Sequence, residues 1–293
     1  YRSQVCLFND DIQGTGAVAV AGIFAALRIT GSELEDQKIL FLGAGEAGIG
    51  IADVLVAALC EKGMPVDEAR RHCWFVDSKG LLCSGRENLA EHKKPYAHDH
   101  EYVDNFLDAV KTLKPTAILG LSGQPQTFTK EIIEAMAEIN ERPLISALSN
   151  PTSKAECTAE QAYKWSKGRA IFASGSPFDP VKYGNRTFVP GQGNNAYIFP
   201  GVGLGAIVSR SHVVTDDMFL AAAHSLANLV TEDDLQRGRV YPPLSHIREV
   251  SAHIAHDVAT MVYDKGYTDK ERPEDIMADI REYMFQPIYP HYA

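Results

Sequence analysis

Residues 38–43, Lys-Ile-Leu-Phe-Leu-Gly, restrict the fold more than any other stretch. They form a short, unbroken apolar run that ends in glycine and leads straight into a second apolar segment, Ala47 to Leu59. A run without polar alternation suits a strand covered on both faces, as in a parallel sheet. The second segment is too long for a strand and reads as a helix lying over it. The alternation then recurs. A strand ends at Asp77, and a helix follows around Tyr102 to Leu113. Next come a strand Thr116 to Leu121, a helix Thr129 to Ile139 and a strand Pro143 to Leu148. A helix Thr158 to Trp165 and a strand Ala170 to Ala173 close the series. At the start, Val5 to Phe8 reads as a strand before a helix from Thr15 to Arg28.

Strand and helix alternating at these lengths predict an α/β chain with a Rossmann-like doubly wound parallel sheet. The rhythm changes near residue 195. Lys182 to Val189 suggests a hairpin turning at Gly184-Asn185. Mostly helical sequence follows, over Tyr197 to Ser209, Asp216 to Val230 and Ser245 to Tyr263. The expected organisation is a nucleotide-binding domain at 1–194, a helical segment at 195–266, and a tail at 267–293 with one short helix, ending in Pro290, His291 and Tyr292.

Composition removes several function classes. The chain has 28 basic and 38 acidic residues and a net charge of −10, which argues against nucleic acid or an anionic membrane as the main partner. The longest apolar run, Ala17 to Leu27, is shorter than the ~20 residues of a membrane helix. Cys6, Cys60, Cys73, Cys83 and Cys157 are odd in number and scattered, which predicts buried small hydrophobes in a reducing compartment. His98 with His100, and His253 with His256, lack a third ligand at a suggestive spacing and read as surface residues.

Gly43-Ala44-Gly45-Glu46-Ala47-Gly48 matches G-x-G-x-x-G in the context that gives the string meaning, after an apolar strand and opening a helix. Gly43 would make the tight turn, Gly45 would let the backbone approach a pyrophosphate, and Gly48 would bring helix and sheet together. The amides of Glu46 and Ala47 at the helix N-terminus would face the phosphates. Asp77 ends the next strand, further beyond Gly48 than the ~20 residues usual for the acid that holds a ribose 2′-hydroxyl of NAD. Ser78 and Lys79 follow it, with Lys93 and Lys94 beyond, and a hydroxyl and cations there would favour the 2′-phosphate of NADP. Lys93 and Lys94 read equally as a solvated pair.

Asp10 and Asp11, placed by the pattern at a strand end before a glycine turn and a helix, read equally as a site for a hard cation such as Mg²⁺ or Mn²⁺ or as an N-cap. Asn150 before Pro151 and Asn195 could be turn or cap residues or ligand-binding amides.

The full strings carry more than their parts. Phe8 to Thr15, Gly43 to Gly48, Val76 to Leu81, Ala147 to Glu156, Gly175 to Phe178, and Gly191 to Asn195 with Phe199-Pro200-Gly201 together resemble the malic enzymes, in that family's order, over about residues 5–265. The resemblance implies oxidative decarboxylation of L-malate to pyruvate and CO₂ with reduction of NAD(P)⁺. It implies that Asp11 is a metal ligand and that Asp10 supports the ligand set and pairs with a catalytic lysine. Asn150 and Asn195 would hold malate and the nicotinamide ribose. Lys94 falls where NADP-preferring members carry a lysine, and Ser78 and Lys79 also match, so NADP is expected, with NAD possible. The loop Gly120 to Gln126 departs from the family's more glycine-rich turn, and Pro125 should stiffen it.

By the same resemblance, a tyrosine acid, a lysine base, a substrate-binding arginine and a Glu-Asp metal pair would precede Asp10. The chain opens at Tyr1 with no methionine and no visible leader. It is therefore expected to be a cofactor-binding portion, inactive towards malate alone, from a dimer or tetramer of the cytosol, chloroplast or mitochondrion. The alternatives are a non-catalytic nucleotide-binding or redox-sensing module and a dehydrogenase of another 2-hydroxy or amino acid.

Overall fold

A computed structural model describes residues 5–288, so Tyr1 and the Pro290 to Tyr292 end of the expected tail lie outside the described residues. The described residues begin with an irregular stretch and a π-helical turn, Asp10–Gly14, that runs into α1 (Thr15–Thr30). The strand expected at Val5 to Phe8 is absent, because no strand among the described residues pairs with it. Then follow β1 (Ile39–Leu42), α2 (Glu46–Glu61), α3 (Val66–Arg70), β2 (Cys73–Asp77) and β3 (Gly80–Leu81). Next are α4 (Phe106–Leu113), β4 (Ala117–Gly120), α5 (Lys130–Ile139), β5 (Leu144–Ala147), α6 (Ala159–Trp165) and β6 (Ile171–Ser174). The hairpin β7 (Val181–Tyr183) and β8 (Arg186–Phe188) forms where expected and precedes β9 (Gly191–Gln192). The remainder is α7 (Phe199–Val208), α8 (Asp216–Asn228), α9 (Glu232–Gln236), α10 (Ile247–Lys265) and α11 (Ile276–Tyr283).

One seven-stranded sheet runs in the order β3-β2-β1-β4-β5-β6-β9, parallel throughout except for β3 at one edge. The order reverses between β1 and β4, and crevices that take ligands open at such a point, beyond the carboxyl ends of the strands. Alternate residues face opposite sides, as the strand repeat requires. Ile39 and Phe41 enter a core built with α1, α2, α8 and α10. Leu40, Ile118 and Ile145 enter a second core under α4, α5 and α6. A capping box at Thr158 and Gln161 fixes the start of α6.

The helical stretch Asp10–Thr30 has 21 residues and is long and apolar enough to cross a membrane by length and composition, longer than the run read from sequence. Its apolar window is 67% buried within the protein, where α1 packs on α2 and α8, as a core helix does. All five cysteines are free. Cys73, Cys83 and Cys157 are buried and Cys60 half-buried as expected, but Cys6 is exposed. His98 is also less exposed than expected: its ring packs on Trp74, 4.6 Å between centroids, and Nε2 lies 2.8 Å from the Cys73 carbonyl.

Candidate functional site

The glycine turn after β1 is built by two different constraints. Gly43 has φ +109°, a region that favours glycine, and a Cβ there would lie 2.9 Å from the Leu121 carbonyl oxygen. A Cβ on Gly48 would meet the Gly43 carbonyl at 2.9 Å, so α2 sits directly on the turn. Gly45, Glu46 and half-buried Ala47 stand at the open mouth of α2, with the helix N-terminus directed at the crevice.

Beyond β2 the chain reverses in a two-residue turn, Ser78-Lys79, and pairs back as β3. Both turn residues are exposed. The reversal brings Arg86 alongside Asp77. Arg86 Nη1 donates to Oδ1 at 3.0 Å, Nη2 to Oδ2 at 3.3 Å, Lys93 Nζ to Oδ2 at 2.9 Å, and the Lys79 amide to Oδ1 at 2.9 Å. Burial alone would raise the Asp77 carboxyl, but the hydrogen bonds from Arg86, Lys93 and the Lys79 amide outweigh it and hold the group below the usual carboxylate range. Lys93 is therefore an ion-pair partner rather than a solvated surface residue. Lys94 is exposed, pairs with Glu91, and lines a shallow cleft with Arg86. Arg86 was not legible as a site residue, since a lone loop arginine carries no periodic signal; only the turn that returns it to Asp77 reveals it.

A depressed carboxyl adds stability above its unfolded pKa, and that stability is lost as pH falls through the folded value. Asp77→Asn should thus cost about 1–3 kcal/mol at neutral pH, where the charged hydrogen bonds are intact. The difference from wild type should begin to shrink below about pH 4, where the unfolded chain's carboxylate takes up its proton, and vanish only as the lower folded value is passed. Urea midpoints measured from pH 3 to 7 would reveal it, and a constant difference would contradict this origin.

Asp10 and Asp11 lie not at a strand end but at the start of the π-helical turn. Asn9 precedes the turn without a side-chain cap, so neither acid is the N-cap. Asn195 Nδ2 lies 3.1 Å from the Asp10 carbonyl, from Asp10 Oδ2 and from Thr15 Oγ1. Asp10 Oδ1 is buried with no hydrogen-bond partner, and its carboxyl is raised, first by burial and also by Asp11, despite the Asn195 bond. Asp11 is exposed. It lines a cleft of about 330 Å³ shared with Leu121, Leu148, Asn150, Gly175 and Asn195, at the carboxyl ends of β4, β5 and β6. Asn150 is held by Ser176, whose hydroxyl donates to Oδ1 at 2.9 Å. The cleft thus brings together Asp11, Asn150 and Asn195, while Asp77, Ser78, Lys79 and Lys94 lie apart, beyond β2. No lysine, tyrosine or histidine lines it among the described residues.

The two acids offer the hard oxygen donors a divalent cation takes, and the unpartnered Oδ1 fits a missing charged neighbour. They are not a complete set: among the described residues no group of three or more His, Cys, Asp or Glu is arranged to hold a metal.

The loop after β4 is tethered rather than free. The Gln126 amide donates to the Ala155 carbonyl at 3.1 Å, and Gln161 Nε2 donates to Gln126 Oε1 at 2.7 Å. Gln126 itself has φ +58°.

A family profile described as "Malic enzyme, NAD binding domain" matches residues 12–263. The chain is 54% identical to an NADP-dependent malic enzyme of Vitis vinifera, covering 100% of this chain and 50% of that protein. It is 52% identical to a chloroplastic NADP-dependent malic enzyme of Flaveria pringlei, covering 100% and 46%. The chain therefore spans about half the length of the curated relatives it matches. Among solved structures, the malic enzyme of Entamoeba histolytica shares the fold with a TM-score of 0.76 at 23% identity, over 95% of this chain and 53% of that one. That of Pyrococcus horikoshii does so with a TM-score of 0.73 at 24% identity, over 96% and 60%. With the glycine turn, the reversing sheet and the profile match all in one chain, these 293 residues belong to the malic enzyme family, through its NAD binding domain.

Proposed function

We propose that the chain is the NADP-binding part of an enzyme that converts L-malate and NADP⁺ to pyruvate, CO₂ and NADPH. The convergence of Asp11, Asn150 and Asn195 on one cleft beside the glycine turn carries this reading. The pyrophosphate would lie against Gly45 and the amides of Glu46 and Ala47. Asn150 and Asn195 would hold malate and the nicotinamide ribose, since neutral amides bind carboxylates and hydroxyls without changing the local charge. Asp10, anchored by Asn195, would support the ligand set and receive the catalytic lysine at its unpartnered oxygen.

Asp11 would be one ligand of a Mg²⁺ or Mn²⁺ ion whose other ligands lie outside these residues. Bound there, such an ion supplies Lewis-acid polarisation of the substrate oxygens.

The surroundings of Asp77 support NADP over NAD. Its oxygens are already taken by Arg86, Lys93 and an amide, which leaves little acceptor capacity for a ribose hydroxyl. One carboxylate against two cations, with Lys79 and Lys94 exposed nearby, leaves the region positive, as a 2′-phosphate requires. A cytosolic or organellar location and assembly as a dimer or tetramer belong to the same proposal.

Calorimetric titration tests the cofactor. NADP⁺ should bind more tightly than NAD⁺, and Lys94→Ala should weaken NADP⁺ by about tenfold while leaving NAD⁺ unchanged. Equal effects on both would contradict the role given to Lys94. Because no lysine or tyrosine lines the cleft among the described residues, the 293-residue chain alone should bind NADP⁺ without turning over malate. Malate-dependent NADPH formation by it would overturn that part of the reading.

A further inference from the structure

Glu156 is the one glutamate in the string Ala147 to Glu156, and it is wholly buried, at 0% exposure. No cation pairs with it among the described residues. Its carboxylate is met only by donors from two loops. The Ser122 amide, after β4, donates to Oε1 at 3.3 Å. The Ser149 amide, after β5, donates to Oε2 at 3.4 Å, and the Ser149 hydroxyl donates to Oε1. That hydroxyl also accepts from the Gly123 amide at 2.9 Å. The Gly123 N–H can only donate, so the hydroxyl accepts from it and donates its own proton to the Glu156 carboxylate, which as an anion only accepts. Gly120 makes the arrangement possible, since a Cβ there would lie 2.4 Å from the Glu156 carboxyl carbon. The Glu156 carbonyl adds a further tie, accepting from the Phe128 amide at 2.9 Å.

These two loops contribute Leu121, Leu148 and Asn150 to the cleft. A dinucleotide fixed at the glycine turn crosses from β1 to β4, so its second half lies over them. We propose that Glu156 is a positioning residue for the nicotinamide half of the cofactor: its buried carboxylate locks the β4 and β5 loops in one relative arrangement and so sets Asn150. This rests on the cofactor reading above.

The test compares two probes in the full-length protein: NADP⁺, which spans both halves of the site, and adenosine 2′,5′-bisphosphate, which reaches only the β2 side. Glu156→Gln keeps the volume but turns an amide N–H₂ towards a backbone donor. It should raise the dissociation constant of NADP⁺ by about tenfold and leave that of the bisphosphate within about twofold. Ser149→Ala, which breaks the same relay from its other end, should shift the ratio in the same direction, and it carries the test if the glutamine variant does not fold. Equal weakening of both probes, or none, would overturn the proposal. Failure of the unsubstituted protein to bind the bisphosphate would instead overturn the cofactor reading, and this proposal with it.

Discussion

Replacing Gly45 by valine should leave the protein folded yet weaken nucleotide binding by on the order of a hundredfold, about 2.7 kcal/mol. Nothing in the chain itself demands glycine at this position. Its backbone is extended, at φ −85° and ψ −179°, a conformation open to any residue. A Cβ there would have no atom within 4 Å. On the proposed reading a phosphate lies at this position, so a branched side chain should block the ligand. Gly43 provides the contrast. With φ +109° and the Leu121 carbonyl 2.9 Å from its would-be Cβ, Gly43→Val should cost about 1–3 kcal/mol in backbone strain alone and lower the melting temperature with or without nucleotide. Calorimetry and thermal melts on the two variants separate the cases. Wild-type affinity in Gly45→Val would mean that the pyrophosphate does not pass the turn.

The larger effect on turnover is expected at Asp11. In the full-length protein, Asp11→Asn should reduce kcat by about a thousandfold, equivalent to ~4 kcal/mol, the scale of a lost metal contact at developing charge. NADP⁺ affinity and melting temperature should stay near wild type, because Asp11 is exposed and lines the cleft without a hydrogen bond or ion pair among the described residues. A variant that keeps wild-type kcat would remove Asp11 from the ligand set. One that loses kcat and melts much earlier would make it a structural residue.

The strands that carry the glycine turn and the cleft are legible because burial on both faces forces unbroken apolar runs, as in Ile39–Leu42 and Ala117–Gly120. The glycine turn is legible because both its strand and its helix are. Elements set by distant partners are not. β9 is two residues long, one a glycine, and exists only because β6 lies beside it. Val5 to Phe8 has a strand's composition but no strand partner among the described residues, and it forms none. Site residues divide the same way. Asn150, Asn195, Ser176 and Asp10 all stand out in distinctive strings, but that Ser176 holds Asn150 and Asp10 accepts from Asn195, across 26 and 185 residues, shows only in the fold. Glu156 ends one of the matched strings, but nothing in that string marks it as buried. Its burial becomes visible only once Gly120 is placed over it.

α1 ties the early part of this chain to a helix made much later. Ala17, Ala21 and Ala25 are completely buried, with α2 soon available on one side and α8 on the other. Its last turn is clasped by Arg28, which donates at 2.8 Å to the carbonyl of Ala227, 199 residues further along. At about 5–20 residues per second, a ribosome needs roughly 10–40 s to span that interval. For that time the nascent chain carries a long apolar helix with one side uncovered, and both the glycine turn and Leu121 behind it are made before that side is covered. A chain halted before residue 216 would keep Gly43 to Gly48 and still leave bare the side of α1 that α8 covers.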